Sequence, residues 1–413
     1  MPSEEIELQG HIIDSLILPR VLDTVLDLNG DFVIEEIRVG VHKTDTSYAR
    51  LQVSAADGDA LAEMLDALQR LGASVVRPRP VRLKAAEADG VYPEGFYATT
   101  NLETLIYLDG NWHKVENAEM DCGIVYDPAS GRARAVRVAK IKRGDLVAVG
   151  HDGIRVTPLE RSRAKETFEF MTSQTSSEKP KQILIQDIAA AMRATRAAGR
   201  KILVVAGPAV IHTGSGKYLS RLIELGFVQV LFAGNALAVH DIESALYGTS
   251  LGVSLLTGAV QTGGHEHHLR AINEIRRLGS IAAAVERGVV RRGVMHACVR
   301  HGVDLVLAGS IRDDGPLPGV ITDTIAAQDA MRARLDGVGL VLALATMLHA
   351  IATGNMLPAG VRFIAVDINP AVATKLADRG SFQTVGIVTD VESFLRDLSE
   401  TLERPAGGTG GPA

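Results

Sequence analysis

Three observations predict a multidomain α/β protein. From residue 180 onward, apolar runs rich in Val, Ile and Leu alternate with helical stretches, the pattern of a doubly wound, mostly parallel, Rossmann-like sheet buried on both faces. Residues 8–84 follow the order strand, helix, strand, strand, helix, strand, which is that of a ferredoxin-like α+β module. Between them, short alternating runs are punctuated by Asp109-Gly110, Ser130-Gly131, Arg143-Gly144 and Asp152-Gly153, the spacing of a small antiparallel barrel or sandwich. The expected domains are therefore a ferredoxin-like module at 1–84, a β-rich module at 85–165 and a nucleotide-binding α/β domain at 166–404. The Gly- and Pro-rich stretch 405–413 is expected to be a disordered tail.

Composition narrows the function classes. The 413 residues are 46% hydrophobic, enough for a large core, and 43 basic against 49 acidic side chains give a net charge of −6. No block of five like charges occurs and aromatic residues make up only 4%, so neither a phosphate-neutralising face nor a base-stacking platform is expected. The two cysteines, Cys122 and Cys298, have no partner at metal spacing, which fits a reducing cytosol rather than a disulfide scaffold. An acidic Met-Pro-Ser-Glu-Glu-Ile-Glu start lacks the features of a signal peptide. The most apolar stretch, 338–353, is shorter than the ~20 residues a membrane span needs and reads as a buried helix. A soluble, cytoplasmic protein without nucleic-acid or membrane partners is expected.

Taken in order, the first module should hold a strand at 10–17, a helix at 19–28, strands at 32–39 and 48–54, a helix at 57–71 and a strand at 73–77. Such modules bind amino acids or mediate dimers, and the plainer role is packing and oligomerisation. The β-rich module has runs at 104–108, 123–127, 133–138 and 145–149, and suits a lid or one wall of a cleft. In the α/β domain, strands are expected at 201–206, 228–233, 252–256, 303–308 and 362–366. Ligands of such sheets bind outside the carboxyl ends of the strands, at a switch point.

Those ends carry the candidate residues. The first continues into Gly207-Pro208-Ala209 and then His212-Thr213-Gly214-Ser215-Gly216-Lys217. The dinucleotide spacing fails because Leu219 occupies the third glycine position, and a P-loop is excluded by Tyr218 after Lys217, so this loop is either a phosphate site or a structural turn. The second opens into Gly234-Asn235-Ala236, whose amide can bind a ligand, followed by His240-Asp241; His240 reads equally well as a cap. Another runs into Gly309-Ser310-Ile311-Arg312-Asp313-Asp314-Gly315-Pro316, too charged for a plain turn. The last ends in Asp367-Ile368-Asn369-Pro370, where Asp367 can accept both ribose hydroxyls and disfavour a 2′-phosphate. Asn369 can cap the helix expected at 371–379 and leave Asp367 free, although Asp367 could itself be the cap.

Gly207-Pro208-Ala209, Phe232-Ala233-Gly234-Asn235-Ala236-Leu237-Ala238-Val239-His240-Asp241, Ala308-Gly309-Ser310-Ile311-Arg312-Asp313-Asp314-Gly315-Pro316-Leu317-Pro318 and Val366-Asp367-Ile368-Asn369-Pro370 resemble the archaeal-type ornithine cyclodeaminases. This family is also described as the conserved region of LOR/SDH (lysine-oxoglutarate reductase/saccharopine dehydrogenase) bifunctional enzymes. It is similar to the C-terminal part of the arginine-guanidine-removing enzymes. The resemblance extends through Gly10-His11-Ile12-Ile13-Asp14-Ser15, Gly95-Phe96-Tyr97-Ala98-Thr99-Thr100-Asn101, Glu119-Met120-Asp121-Cys122-Gly123 and Gly153-Ile154-Arg155-Val156, essentially the whole chain. No arginine-dihydrolase module precedes it, so guanidine removal is expected to be missing.

The resemblance implies NAD-dependent conversion of L-ornithine to L-proline and ammonia, on a nucleotide-binding domain similar to that of deoxyhypusine synthase. It also implies self-contained hydride chemistry: the α-carbon is oxidised to an imine, the δ-amine attacks, ammonia leaves, and the cyclic imine takes the hydride back. Residues expected around NAD are Gly207, Pro208, Gly234, Asn235, Ala236, His240, Gly309, Ser310, Asp313, Gly315, Asp367, Ile368 and Asn369. Asp313 and Asp314 are the catalytic candidates near the cofactor or the substrate amine, since neighbouring carboxylates can raise one pKa. Arg155 and Lys179 are candidates for clamping the substrate carboxylate. The tract Gly263-Gly264-His265-Glu266-His267-His268 looks like metal spacing, but the resemblance implies no metal. Cys298 is expected in the core, and Cys122 in the core or lining a pocket. A homodimer or homotetramer is expected. Two other readings stay open: another NAD-dependent amino-acid oxidoreductase of saccharopine dehydrogenase type, or a non-catalytic binding protein responsive to NAD or an amino acid.

Overall fold

The computed structural model describes every residue except 14, 43–44, 158–180, 256, 260–265, 314, 373–374, 376–383 and 405–413. The chain forms two compact units, Met1–Glu169 with Pro358–Gly360, and Phe170–Leu357 with Val361–Ala413.

In the first unit, β1 (Ser3–Gly10), α1 (Ile17–Asp27), β2 (Asp31–Arg38), β3 (Ser47–Ser54), α2 (Gly58–Arg70) and β4 (Ser74–Val75) build a four-stranded antiparallel sheet in the order β2-β3-β1-β4, a ferredoxin-like arrangement. Its core joins Ile6, Leu8, Leu51 and Val53 of the sheet to Val21 and Val25 of α1 and Met64 and Leu68 of α2. Asp57 starts α2 by accepting the Ala60 N–H at 2.9 Å. The first strand is Ser3–Gly10, not 10–17. Its alternating Glu5 and Glu7 mask the period-2 pattern, yet they are paired across the sheet surface, Glu5 with Arg50 at 3.3 Å and Glu7 with Arg155 at 3.4 Å. Leu16, at φ 55, is in the left-handed region and breaks the apolar stretch that mimics a strand.

The same unit holds β5 (Arg82–Ala85), β6 (Glu103–Leu108), β7 (Asn111–Glu116), β8 (Gly123–Asp127), β9 (Arg132–Val136), β10 (Leu146–Val149) and β11 (Ile154–Thr157). They form one seven-stranded sheet, β11-β6-β7-β9-β8-β10-β5, in which only β7 and β9 pair in parallel. The Val81 N–H donates to the Tyr107 carbonyl at 2.8 Å, so the chain entering β5 meets β6 and the sheet curls on itself. Asp109 (φ 52) and Gly110 (φ 79) make the left-handed two-residue turn that the right-handed twist of a hairpin requires. Alternate residues, among them Ile106, Val115, Ile124, Ala135 and Ile154, fill the interior with Cys122.

The second unit begins with α3 (Lys181–Ala197), β12 (Lys201–Ala206), α4 (Ala209–His212), α5 (Gly216–Glu224), β13 (Val230–Gly234), α6 (Asn235–Tyr247), β14 (Thr249–Ser250) and β15 (Val253–Ser254). It continues through α7 (His267–Leu278), α8 (Ile281–Glu286), α9 (Val294–His301), β16 (Asp304–Ala308), α10 (Thr324–Arg332), β17 (Val338–Leu344), α11 (Leu348–Met356), β18 (Arg362–Asp367), β19 (Thr384–Val388) and α12 (Val391–Glu403). Six parallel strands lie in the order β16-β13-β12-β17-β18-β19. Numbered by chain position this is 3-2-1-4-5-6, the Rossmann order. Leu203, Val205, Val230, Phe232, Val341 and Phe363 cluster with Met331 of α10 and Ala350 of α11. The alternate residues Ile202, Val204, Leu342 and Ile364 are also fully buried, and α3 packs on β12 and β17, so helices cover both faces.

Two expectations for this unit are corrected. The stretch 338–353 is not one helix: Val338–Leu344 is a central strand, and the helix starts only at Leu348. A strand buried on both faces shows no alternation, so its run cannot be told from a buried helix by period. The run at 252–256 does not join the parallel sheet; Thr249–Ser250 and Val253–Ser254 form a separate antiparallel hairpin. Most of the helix expected at 371–379 lies outside the described residues.

Phe232, 1% exposed in the middle of this sheet, sets a stability prediction. Phe232→Ala should lower the unfolding free energy by about 3–5 kcal/mol, read from the midpoint shift in urea at unchanged slope.

Candidate functional site

Register places the carboxyl ends of the strands on one row. Gly234 pairs with Ala308, Ala206 with both Ala233 and Leu344, Leu344 with Val366, and Asp367 with Val388. The row one residue beyond Ala206 therefore reads Ala308, Gly234, Gly207, Ala345, Asp367, Val388. With about 4.8 Å between strands, Ala308 to Asp367 spans roughly 19 Å. The strand order reverses between β12 and β17, which puts the crevice over Gly207 and Ala345.

Backbone crowding keeps that crevice bare. A Cβ on Gly207 would stand 2.1 Å from the Ala345 carbonyl oxygen and 3.2 Å from the Thr346 Cβ, and one on Gly234 would stand 3.3 Å from His349 Cε1. These glycines let the loops after β12, β13 and β17 pack main chain against main chain at the switch point. The thirteen-residue α6 begins beside them, and the N–H groups of its first turn have no partner within the helix. By contrast, the loop from His212 to Lys217 is closed on itself: Ser215 is fully buried and donates to the Val210 carbonyl at 2.8 Å, and Gly214 turns at φ 77.

The acidic candidates are folded back on their own loops. Asp313 accepts the Ser310 N–H at 2.8 Å and the Ser310 hydroxyl at 3.3 Å. The loop they close is tied down by Asn235, 3% exposed, whose Oδ1 accepts the Leu317 N–H at 3.0 Å. Gly315, at φ 143, packs near Arg276, which donates to the Pro316 carbonyl at 2.8 Å. At the end of β18, Asp367 Oδ1 accepts the Asn369 N–H at 2.8 Å, and Asn369 Oδ1 accepts the Ala371 N–H at 3.0 Å. Asp367 Oδ2 has no partner among the described residues. Gly309 sits against Thr322, with its N–H on the Ile321 carbonyl at 2.9 Å.

His240 and Asp241 face into the unit. His240 is 9% exposed and bonds Glu243 at 2.9 Å, while its ring lies 4.7 Å from that of His212. Burial pushes the Glu243 carboxyl up, but bonds from His240, the Gly252 N–H and the Thr249 hydroxyl outweigh it, and its pKa falls below the usual carboxylate range. Asp241 accepts the Val294 and Met295 N–H groups at 2.8 and 2.7 Å, capping α9. Burial lifts its carboxyl to about 6 against these two bonds. Cys298 is buried on α9 and its thiol is pushed up by burial and by Asp241, which suits a core residue.

Sequence reasoning missed the loop after β17, because 338–353 read as one helix. Ala345 turns at φ 48, Thr346 lies against Gly207, and His349 lies against Gly234, held neutral by burial that lowers its pKa. The usable signal was the repeat of the strand, small residue, helix order already seen at Ala206-Gly207-Pro208. The loops after β16 and β18 expose Ile311 and Ile368, and the start of α11 exposes Leu348, each at 74% or more. Arg155 is in the first unit, its guanidinium 4.5 Å over the Trp112 ring and paired with Glu7. Lys179, Asp314 and His265 lie outside the described residues; His267 bonds Thr249 at 2.8 Å.

Two outcomes are expected. Gly207→Ala should cost about 1–3 kcal/mol in urea unfolding, since backbone at 2.1 Å must move. For Asp241, a pKa of about 6 against an ordinary 3.8 means the folded state favours the protonated form. Its contribution to stability is therefore present below about 3.8 and lost as pH rises through about 6, on the order of 3 kcal/mol. Asp241→Asn should remove that slope between pH 4 and 6, as measured by denaturation at a series of pH values.

Three family models match in sequence: the LOR/SDH bifunctional enzyme conserved region over residues 3–102, the ArgZ-like arginine dihydrolase C-terminal first region over 103–185, and its C-terminal Rossmann fold over 186–398. The chain is 56% identical to an ornithine cyclodeaminase of Methanocaldococcus jannaschii, over 97% of this chain and 96% of that protein. It is also similar to the crystal structure of apo ArgZ, a cyanobacterial arginine dihydrolase, at 39% identity and TM-score 0.84, covering 97% of this chain but 58% of ArgZ. The ternary complex of AgrE with ornithine and NAD+ matches at 44% identity and TM-score 0.53, over 97% of this chain and 57% of AgrE.

Proposed function

This chain belongs to the ornithine cyclodeaminase family, and from that premise we propose that it converts L-ornithine to L-proline and ammonia with NAD as a cofactor restored in every turnover. One observation supports the reading: the segments Gly207-Pro208, Gly234-Asn235-Ala236, Gly309-Ser310 and Asp367-Ile368-Asn369 all leave the carboxyl ends of strands in one Rossmann-ordered sheet, with Gly207 at its switch point. The relative crystallised with ornithine and NAD+ supports the pairing of this substrate with this cofactor.

The residues present fit a dinucleotide. Gly207, Gly234 and Ala236 keep side chains small at the strand ends, Pro208 holds the turn after β12, and Gly309, Ser310 and Gly315 lie on the loop after β16. Asp367 keeps one carboxylate oxygen for ribose hydroxyls, while Asn369 fixes the loop and Ile368 gives an apolar contact. When bound, NAD supplies a hydride acceptor and donor, so the overall reaction needs no outside oxidant. Asp313 and Asp314 are the carboxylates assigned to the substrate ammonium groups. His349, neutral through burial, is a group able to take a proton from the α-ammonium at neutral pH. For the substrate carboxylate, Lys179 is the better candidate, because the Arg155 guanidinium is already engaged by Glu7 and Trp112. His240 lies behind the site, bonded to Glu243 one turn further along α6.

Incubating the protein with NAD+ and L-ornithine should yield proline and ammonia in equal amounts with no net NADH. Net NADH with ornithine or saccharopine would instead mark an amino-acid dehydrogenase, and thermal stabilisation by NAD+ without any product a binding protein. Asp367→Ala should weaken NAD+ binding about ten-fold, the ~1.4 kcal/mol of one lost charged hydrogen bond, with the melting temperature little changed. Calorimetric titration gives the affinity and a thermal scan the melting temperature, and unaltered affinity would remove Asp367 from the ribose.

A further inference from the structure

The first unit contains a cleft of about 440 Å³ that the reaction above does not use. One wall is the face of α2 carrying Gly58, Leu61, Ala62, Leu65, Leu68 and Gln69, at the three-and-four spacing of a single helix stripe. Ile6 of β1 and Val75 of β4 extend this apolar floor, and the turn between β10 and β11 forms the far side. That turn is built to stay in place: His151 pairs with Asp66 of α2 at 2.9 Å, and Gly153, at φ 68, packs so tightly on the Arg79–Val81 backbone that a Cβ would stand 2.5 Å from it.

Gln69 is 93% buried at the cleft, being 7% exposed, and its orientation is fixed. Its side-chain N–H groups donate to the Ile154 carbonyl and, at 3.0 Å, to the His151 carbonyl, so the amide cannot be turned round. The Oε1 atom is left buried with no donor among the described residues, an unusual state for an acceptor in a packed interior. Around the mouth stand Arg77, Arg79 and Arg82, with Glu4 3.5 Å from Arg79 and Asp152 3.7 Å from Arg82. Arg77 makes no ion pair among the described residues.

We propose that this cleft binds a free α-amino acid with an aliphatic side chain. Three guanidinium groups against two carboxylates leave one uncompensated positive charge, which suits one carboxylate and is too little for a polyphosphate. The Gln69 Oε1 acceptor calls for an ammonium donor beside that carboxylate. The stripe of Leu61, Leu65 and Ile6 takes the hydrocarbon. A nucleobase is disfavoured because Trp112, the one large aromatic lining the cleft, already carries the Arg155 guanidinium on its ring at 4.5 Å. The volume lies within the range of small-ligand sites, about 300–1000 Å³.

The test uses L-leucine, L-isoleucine and L-methionine, each titrated calorimetrically into the full chain in the absence of NAD+ and ornithine. At least one should bind saturably, once per chain. L-leucinamide, which lacks the carboxylate, and 4-methylpentanoate, which lacks the amine, should bind at least ten-fold more weakly than leucine. Arg77→Ala removes an exposed cation, and Ala62→Phe fills the cleft from an exposed helix position; each should weaken binding at least ten-fold while the melting temperature stays near wild type. Asp367→Ala, on the nucleotide-binding sheet, should bind leucine as wild type does. The proposal is overturned if none of the three amino acids binds, or if binding survives both cleft variants, or if it is lost in Asp367→Ala alone.

Discussion

Main chain meets main chain where β12 and β17 end, and the architecture of the second unit depends on that contact. Gly207 lies so close to the Ala345 carbonyl that no side chain fits, and Ala345 takes a left-handed φ of 48 to let β17 turn away. From this point the chain builds outward in two directions, to β13 and β16 on one side and to β18 and β19 on the other. Loops leaving the two central strands must diverge, and a crevice opens between them as a consequence of connectivity rather than of any particular side chain. Everything placed on the rim, from Asn235 to Asp367, inherits its position from that reversal.

Helix α6 is the second determinant, and it explains why a charged motif can be structural. Nearly all of its residues from Leu237 to Glu243 are buried, including two acids. An unpaired buried carboxylate would be costly, but each has been given backbone donors: Asp241 takes the first N–H groups of α9, and Glu243 takes those of Leu251 and Gly252. The acids thus fasten the helix to the segments on either side of the α7–α8 region. His240, bonded to Glu243, belongs to the same internal network, and its ring lies 4.7 Å from that of His212.

Legibility in the sequence followed the strength of each pattern. Gly207, Gly234, Gly309 and Asp367 could be located because an apolar run ended abruptly at a small or acidic residue, and that punctuation survives in the fold. Val338–Leu344 could not, since a strand covered on both faces has no alternation to betray it, and Thr346 and His349 were lost with it. Ser3–Gly10 failed for the opposite reason: its outward face is so acidic that the inward Ile6 and Leu8 looked isolated. Side-chain partners were legible only where they are local. Asn369 capping Ala371 follows from spacing, whereas Asn235 reaching Leu317, 82 residues away, is a product of tertiary structure alone.

Imine chemistry asks the rim to satisfy two opposing demands, charge to hold an amino acid and dryness to spare an intermediate that water would hydrolyse. The fold meets them by quenching its carboxylates locally. Asp313 is bonded to Ser310 through both oxygens and Asp367 to Asn369 through one, so local donors hold both side chains in place before a ligand arrives. Hydrocarbon is exposed beside them: Ile311 and Ile368 on the loops after β16 and β18, and Leu348 at the start of α11. Leaving such side chains in water forgoes roughly 1.5–3 kcal/mol each, a cost recovered only when something covers them. An occupied site would bury that surface and strengthen the remaining charged contacts as water leaves. On this argument the rim is wet and weakly charged when empty, and becomes dry and strongly polar only around its ligands.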